Sequence, residues 1–348
     1  MTTLAALLLS NCGVIPTASP AYGVVTGFLL PLAVPLLLFG ADLRRVVRDT
    51  GRLLGAFALG AVGTVGGTLL ALVCFPMAHL GADAWKMAAA LCSRHIGGAV
   101  NYVAVAEYLG ITPSLVAAGL AADNLVCALY FTTLFALAAN AAAPVSSSGA
   151  AGGDADATAA DGGGSGVSVA SAAYALAVSA VICAASVAGA AALGVSGADI
   201  PLITAAVAAL ATLMPRRLGA LAPAGGVLAA VLLQIFFAVV GAAGSVRAVL
   251  STAPAMFLFA ALQVAIHLGF TLAAGRAAGY SRAELLLASN ACVGGPTTAA
   301  GMATTKGWRA LLVPAVLMGV LGYSVATFAS IALGKAVLAP LWAARIAA

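Results

Sequence analysis

The chain is a succession of long apolar stretches separated by short polar breaks. An α-helix needs about 20 mostly apolar residues to cross the hydrocarbon core of a bilayer. Stretches of about that length predict continuous spans near residues 22–40, 54–75, 113–140, 169–193, 198–215, 219–243, 253–275 and 310–336. Two more stretches, near 86–109 and 283–306, are interrupted by paired glycines. The pattern therefore predicts an all-α polytopic membrane protein.

Two segments depart from this pattern. Residues 1–13 resemble the last part of another helix and are too short to cross alone, so we expect the sequence to begin inside its first span. Residues 141–168 are mainly alanine, glycine and serine, with no lysine or arginine, which predicts a flexible linker. This linker divides the chain into an N-terminal membrane repeat, 1–140, and a C-terminal membrane repeat, 169–348.

The composition supports the membrane class. Of the 348 residues, 63% are hydrophobic and 7% are charged, which is far from the balance of a soluble domain. The formal net charge is +5, but the basic residues are scattered over the predicted loops. The excess of positive charge in loops on one side of a membrane explains such scatter. We therefore expect the lipid bilayer as a partner, and no nucleic acid.

The sequence does not predict enzyme chemistry or a resident metal. The six cysteines stand singly, without CxxC or Cys/His spacing, so neither a disulfide framework nor a structural metal site is indicated. HExxH, GxSxG and phosphate-loop motifs do not occur. We expect a protein that is not an enzyme and that carries no cofactor.

A glycine motif occurs twice, once in each half of the chain. It reads SRHIGGAVN at 93–101 and SNACVGGPTT at 289–298, and the neighbouring predicted elements match in order. Glycine and proline unwind a helix, and unwound backbone at membrane depth is tolerated where it is buried in protein or lines a cavity. Paired interrupted segments at matching places in two halves point to a transporter binding site. The motif therefore predicts secondary transport.

Two observations conflict about the orientation of the halves. A cluster of arginines, Arg44, Arg45, Arg48 and Arg52, places one loop on the cytoplasmic, stromal or matrix side. An inverted second half puts on that same side Arg216, Arg217, Arg276, Arg282, Lys335 and Arg345. The span at 169–193 instead makes the offset between the motifs even, which predicts parallel halves. We give the charges more weight and expect ten or eleven transmembrane helices, in two inverted five-helix repeats that each contain a broken, crossed helix.

The candidate site residues lie at the breaks and in the helix after the first break. Asp123 is a carboxylate within a span, which is costly in a bilayer and therefore indicates function. Its carboxylate and the neighbouring amide offer hard oxygen ligands for Na⁺, or a site for H⁺. The ends of broken helices add backbone groups and dipoles. The predicted substrate and ion site consists of Asp123, Asn124, Ser93, Gly97, Gly98, Asn101, Asn290, Gly294, Gly295, Thr297 and Thr298.

Further polar residues are candidates for charge pairing. Arg94 and His95 precede the first break, where they could meet a substrate carboxylate or neutralise Asp123 or Glu107; both interpretations stay open. Glu107 and Lys306, near the ends of the broken segments, are expected mainly at the membrane interface. Isolated polar residues within spans, such as His267, usually bond across helices.

The motifs resemble a known family. SRHIGGAVNYVAVAEYLG, AADNLVCALYF and ASNACVGGPTTAAGMATTKGW are similar to the domain-of-unknown-function 819 (YjcL-like) membrane proteins, and so is nearly the whole chain outside the linker. The family is distantly similar to cation/proton antiporters and bile-acid sodium symporters. That resemblance implies inverted repeats, two broken helices crossing at the midplane, and an acidic coupling residue that maps onto Asp123. It also implies a bacterial-type plasma membrane, or a plastid envelope or thylakoid membrane.

The combined expectation is a secondary active transporter coupled to Na⁺ or H⁺. It would move a small organic solute, expected to be anionic, by alternating access, and a homodimer is an open alternative to a monomer. Two other interpretations remain: a pure monovalent cation/proton antiporter, in which Asp123 exchanges a proton for a cation, and a non-transporting membrane scaffold or sensor, in which the glycine motifs serve packing alone.

Overall fold

The structure is a computed structural model that describes residues 2–139, 141, 167–193, 199–244 and 246–347. All regular elements in these residues are helical, so the predicted all-α class is confirmed. Most of the predicted linker, 141–168, lies outside the described residues. The division of the chain into two membrane repeats therefore stays a prediction.

The helices follow the predicted spans closely. In chain order they are α1 (Thr2–Asn11), α2 (Pro20–Leu38), α3 (Leu43–Asp49), α4 (Arg52–Cys74), α5 (Ala84–Tyr108), α6 (Pro113–Leu137), α7 (Val169–Leu193), α8 (Asp199–Leu213), α9 (Pro215–Gly219), α10 (Ala222–Ala242), α11 (Val246–Ala277), α12 (Arg282–Gly294), α13 (Pro296–Thr305), α14 (Arg309–Leu333) and α15 (Ala339–Ala347). Seven of the described helical segments are long and apolar enough to cross a membrane, and α8 is a shorter apolar helix of 15 residues.

The helices form two packing groups. The first, which we call the panel, is α2 with α7, α8 and α10, and α1 packs on α10. The second, which we call the core group, contains α4, α5, α6 and α11 to α14. Its axis is the pair α4 and α11, which pack along much of their length. Gly60, Gly63 and Gly67 lie on the α4 surface facing Gln263 and His267, where a side chain would collide with α11. Small residues of this kind let membrane helices approach closely.

The first broken segment, α5, turns back on itself at Gly97-Gly98. The hydroxyl of Tyr102 lies 3.5 Å from the sulfur of Met87. In a straight helix the 15 residues between them would span about 22 Å. Gly98 has φ +79, a conformation that L side chains rarely adopt and glycine adopts freely. The segment is therefore a helical hairpin rather than the crossed helix that the sequence predicts; we call it the first hairpin.

The second broken segment has the same design. Gly295, between α12 and α13, has φ +81, and Pro296 begins the second arm, where its missing N–H costs nothing. Asn290 Nδ2 on one arm lies 3.3 Å from the sulfur of Met302 on the other. These two arms form the second hairpin, which again turns back at its paired glycines.

The two hairpins enter the bundle from opposite ends. We call the end that carries Arg44, Arg45, Arg48 and Arg52 the arginine end. Arg52, at the start of α4, binds Glu284 at the base of the second hairpin, with Nε and Oε1 3.0 Å apart. The first hairpin begins beyond the other end of α4, and its Trp85 packs beside Gly334, just past α14.

The contacts along helix α6 also place the two hairpins at opposite ends of the bundle. Val116 accepts a hydrogen bond from Tyr102 of the first hairpin, and Asp123 contacts the tip of that hairpin. Further along, Phe131 packs on Gly294 at the tip of the second hairpin, and Phe135 lies under the ammonium of Lys306 near its base. The hairpins therefore point at each other from the two ends of the bundle.

Hairpins that turn back account for the conflict in the helix count. The count treated each broken segment as a crossing, whereas five described helices, α6, α7, α8, α10 and α11, connect the two hairpins. Five crossings carry the chain from one end to the other, as inverted halves require. The complete five-helix repeat itself stays a prediction.

Two basic residues do not lie where the sequence predicts. Lys335 and Arg345 are at the end opposite the arginines: Lys335 Nζ donates to the hydroxyl of Tyr108 at 2.7 Å, and Arg345 Nη1 donates to the carbonyl of Val73 at 3.3 Å. The expectation that they share the arginine end is wrong, because the second hairpin returns to that end and α14 then runs away from it.

Candidate functional site

The tips of the hairpins meet inside the core group. Arg94 Nη1, in the first hairpin, donates a hydrogen bond of 2.8 Å to the carbonyl of Val293, in the second. The ring of Tyr323, on α14, lies beside both Gly98 and Gly295 and so covers the two turns. Unwound backbone from both halves of the chain is therefore gathered in one place.

The turns are packed too tightly for any residue other than glycine. A Cβ on Gly97 would overlap the carbonyl oxygen of Gly322 and the methyl group of Ala326 on α14. A Cβ on Gly294 would overlap the side chains of Thr298 and Phe131. The predicted importance of the paired glycines thus has two physical sources, a positive φ at one position and close packing at the other.

A buried ionic triad stands directly beside the tips. Asp123, which is 0% exposed, receives His95 Nε2 on Oδ1 and Arg94 Nε on Oδ2, each at 2.7 Å. The N–H of Arg94 Nε points off the line to Oδ2, so this contact is an ion pair without an aligned hydrogen bond. Arg94 Nη2 faces the thiol of Cys127 at 3.4 Å. Of the two interpretations left open by the sequence, neutralisation of Asp123 is the one observed.

The triad continues into a chain of hydrogen bonds across three helices. His95 Nδ1 lies 2.9 Å from Gln263 Oε1, and Gln263 Nε2 donates to Thr68 Oγ1 at 2.6 Å. The Thr68 hydroxyl in turn donates to the carbonyl of Thr64 at 2.8 Å. All of these side chains are buried, and buried polar networks of this kind fix the positions of their members.

His267 anchors the second hairpin in the same way. Its Nδ1 lies 2.8 Å from the carbonyl of Gly60, and its Nε2 lies 2.9 Å from Ser289 Oγ. The Ser289 hydroxyl also contacts the hydroxyl of Tyr130 at 2.6 Å. The expectation that His267 bonds across helices is confirmed. Since α4 contacts both histidines through Thr64, the two hairpin tips share one polar network.

The remaining predicted site residues surround the triad at different depths. Asn101 is buried, donates to the carbonyl of Gly97 and accepts from Thr327. Asn124 is half-buried, next to Asp123. Ser93 is buried and donates to the carbonyl of Ala90, within its own helix.

On the second hairpin, Thr298 is half-buried and donates to the carbonyl of Gly295, whereas Thr297 is exposed. Asn290 is fully buried, and its Oδ1 has no hydrogen-bond partner among the described residues.

Two of the predicted charge partners lie away from Asp123. Glu107 is exposed near the end of the first hairpin, and Lys306 stands over the ring of Phe135 at the base of the second. They are therefore at opposite ends of the bundle, in keeping with the interface positions expected for them.

The donor set of the triad does not suit a resident metal. His95, Asp123 and Cys127 present ligand atoms within 4.8 Å of one another. However, the guanidinium of Arg94 lies against the same carboxylate and would repel a cation placed there. The arrangement instead suits a site in which the guanidinium and the carboxylate, now paired with each other, can each pair with an incoming ion.

An apolar groove lies apart from the charges. It holds about 400 Å³ between α6 and α11 and is lined mainly by aliphatic residues such as Val126, Leu129 and Leu268. Tyr130 lines it as well, but Asp123 and Arg94 do not. A groove of this character suits lipid chains better than an ion or a charged solute.

Sequence reasoning missed several members of the network. Gln263 was not singled out, although it stands four residues before His267 and therefore on the same helix face. Thr64 and Thr68 have the same spacing on α4. Tyr323 gave no signal of its own, because its role depends on where α14 packs.

The fold and the site define a class: a multi-pass integral membrane protein with two opposed hairpins around a buried ion pair. Comparison with known proteins identifies the family. The family model described as "Protein of unknown function (DUF819)" matches residues 1–339, and the chain belongs to this family. The chain is also similar to the uncharacterized membrane protein YjcL of Bacillus subtilis (strain 168), with 32% identity over 348 residues that cover 95% of this chain and 87% of the relative.

Proposed function

We propose that this protein is a secondary active transporter that moves a small anionic solute across its membrane by alternating access, coupled to H⁺ or Na⁺. The observation that carries the proposal is the meeting of two opposed hairpin tips at the buried pair of Arg94 and Asp123. Interrupted helices that meet near mid-membrane are the usual binding site of secondary transporters.

The guanidinium of Arg94 is the best candidate to bind the solute. Its Nε lacks an aligned acceptor, and its Nη2 faces only a thiol. A guanidinium forms its strongest hydrogen bonds with carboxylates and similar anions. The second arm of each hairpin also begins at the tip, so two helix N-termini direct their partial positive charge toward the centre.

The transport step would exchange the partners of Arg94. With no solute bound, Asp123 neutralises the guanidinium. An entering anion would take over part of that role while Asp123 holds the coupling ion. Movement of the core group against the panel would then expose the site to the other side of the membrane.

A pure cation/proton antiporter is the second candidate, because Asp123 is a fully buried carboxylate. Arg94 and His95 already occupy both of its oxygens, so a bare cation would have to displace two donors. This arrangement favours the anion transporter.

The test is transport by the purified chain in proteoliposomes that contain a pH-sensitive dye. Chloride salts of Na⁺, Li⁺ and K⁺ are added in one series. Radiolabelled small monocarboxylates are added in another, as choline salts and as Na⁺ salts, so that uptake is measured together with pH. We expect uptake of at least one carboxylate, accompanied by a pH change or dependent on Na⁺, and its loss in Asp123→Asn. The matched control is Asp83→Asn, which removes a carboxylate paired with Lys86 away from the site.

The other outcomes each exclude the proposal in a different way. A pH change with the inorganic cations alone would replace it with cation/proton exchange. If no ion or carboxylate gave uptake or a pH change, and Asp123→Asn prevented assembly, the results would support the non-transporting scaffold.

A further inference from the structure

Gln263 fixes the proton on one side of His95. Its Nε2 donates to Thr68 Oγ1, and the Thr68 hydroxyl hydrogen is already used on the carbonyl of Thr64. Gln263 therefore presents its oxygen, Oε1, to His95 Nδ1 at 2.9 Å. An amide oxygen only accepts hydrogen bonds, so Nδ1 carries a hydrogen.

The other side of the ring then requires a second proton. His95 Nε2 and Asp123 Oδ1 are 2.7 Å apart. With Nδ1 protonated, a neutral ring would present a lone pair at Nε2 to a carboxylate oxygen, and two acceptors do not approach so closely without a proton between them. The contact therefore holds one shared proton, whether it is drawn on Nε2 or on Oδ1.

This proton leaves the triad with a net charge of +1. The shared proton makes His95 and Asp123 neutral as a pair, and Arg94 adds one positive charge. His267, whose Nδ1 donates to the carbonyl of Gly60, does not offset it, because an imidazole is either neutral or positively charged. Among the described residues, the other ionisable groups that interact with the triad are a thiol and two phenols, those of Cys127, Tyr102 and Tyr323.

An uncompensated charge in a membrane interior is costly, so the site is built to receive a single negative charge. Its surroundings are equally unsuited to Na⁺. Among the described residues, the side-chain atoms that contact the carboxylate of Asp123 are nitrogens and a sulfur, from Arg94, His95 and Cys127, whereas hard cations take oxygen ligands.

We propose that the coupling ion is a proton held between His95 and Asp123, and that this proton binds before a monoanion, which Arg94 then binds. This inference rests on the proposed transport function and names its coupling ion. The protonated site carries one positive charge, and the monoanion makes it neutral. Release of both leaves Arg94 paired with Asp123 and a neutral His95, so the site again has no net charge.

The test is ¹⁵N NMR of the whole chain in liposomes with labelled histidine. The sequence has three histidines, at positions 79, 95 and 267, and the variants His79→Gln and His95→Gln assign all three signals. We expect His95 to carry a hydrogen on both nitrogens, because both face acceptors, and His267 to carry one. Replacing choline chloride by NaCl should leave the His95 signals unchanged, and Asp123→Asn should remove one proton from His95.

A singly protonated His95 in the wild-type chain, or a change of its signals on adding NaCl, would overturn the proposal even if Asp123→Asn did not fold. The transport assay separates this failure from failure of the proposed function. Na⁺-driven carboxylate uptake with a singly protonated His95 would exclude the proton as the coupling ion and would still support the transport function. A doubly protonated His95 in a protein that transports no ion or carboxylate would contradict the proposed transport function, on which the inference rests.

Discussion

Arg94 and Val293 are joined by a hydrogen bond of 2.8 Å although they are 199 positions apart in the chain. One lies at the tip of the first hairpin and the other at the tip of the second. The same guanidinium is paired with Asp123 of α6, so a single side chain links both hairpins to the buried carboxylate. Substitutions of these residues should therefore affect both stability and transport, and the two effects can be measured separately.

The pair of Arg94 and Asp123 can be tested by a double substitution. Asp123→Asn leaves a buried guanidinium without its counter-charge, and breaking a buried ion pair in this way costs about 3–5 kcal/mol. Arg94→Gln combined with Asp123→Asn should recover much of the thermal stability in detergent, because no unpaired charge remains.

Transport should stay absent in the double variant. Stability that falls further in the double variant than in Asp123→Asn would show that the two residues do not form an energetically coupled pair.

The turn of the first hairpin should require glycine at both of its positions. Gly98→Ala places a side chain at φ +79, and Gly97→Ala overlaps the backbone of α14, so both should reduce folding yield severely. Gly66→Ala, on an exposed surface of α4 with nothing within 4 Å, is the matched control and should be neutral or slightly stabilising. Yield of monodisperse protein after size-exclusion chromatography measures both effects, and equal yields for all three variants would contradict the packing described.

The opposed hairpins predict a specific labelling pattern. In a chain with Cys12, Cys74 and Cys183 replaced by serine, a single cysteine at exposed Glu107 should react with a membrane-impermeant maleimide from one side. A cysteine at exposed Thr305 should react from the other side, together with one at Arg44.

If both breaks were crossings, with the same five helices between them, Glu107 and Thr305 would both lie at the end that carries Arg44. Labelling of the two positions from the same side would therefore contradict the hairpins.

The base of the second hairpin depends on Arg52. Its guanidinium pairs with Glu284 at 3.0 Å and lies over the ring of Tyr280 at 4.9 Å. Because the Arg52 side chain is 59% exposed, solvent weakens the ion pair, and Arg52→Ala should cost only about 1–2 kcal/mol. Arg45→Ala, which breaks an exposed pair with Asp49, should cost less than half of that. Thermal unfolding in detergent compares the two, and equal losses would mean that Arg52 does not hold the hairpin.

The sequence predicts the helices well because apolar length is a local property. It also identifies Asp123, Arg94 and His95, since charged residues are costly in apolar spans wherever they fold. It does not predict that the glycine breaks reverse the chain. Paired glycines permit many backbone conformations, and the choice of φ near +80 at Gly98 and Gly295 depends on the space that α14 leaves. Gln263 was missed for the same reason, because its partner comes from another helix.

Helix α6 contacts both hairpins and is continuous between them, with Asp123 at one tip and Phe131 at the other. A shift of α6 along its axis by one residue, about 1.5 Å, would move both contacts in the same direction. Because the hairpins face opposite ways, that shift would press α6 toward the base of one hairpin and withdraw it from the base of the other. A single rigid helix thereby makes the two ends of the molecule respond to one displacement in opposite senses.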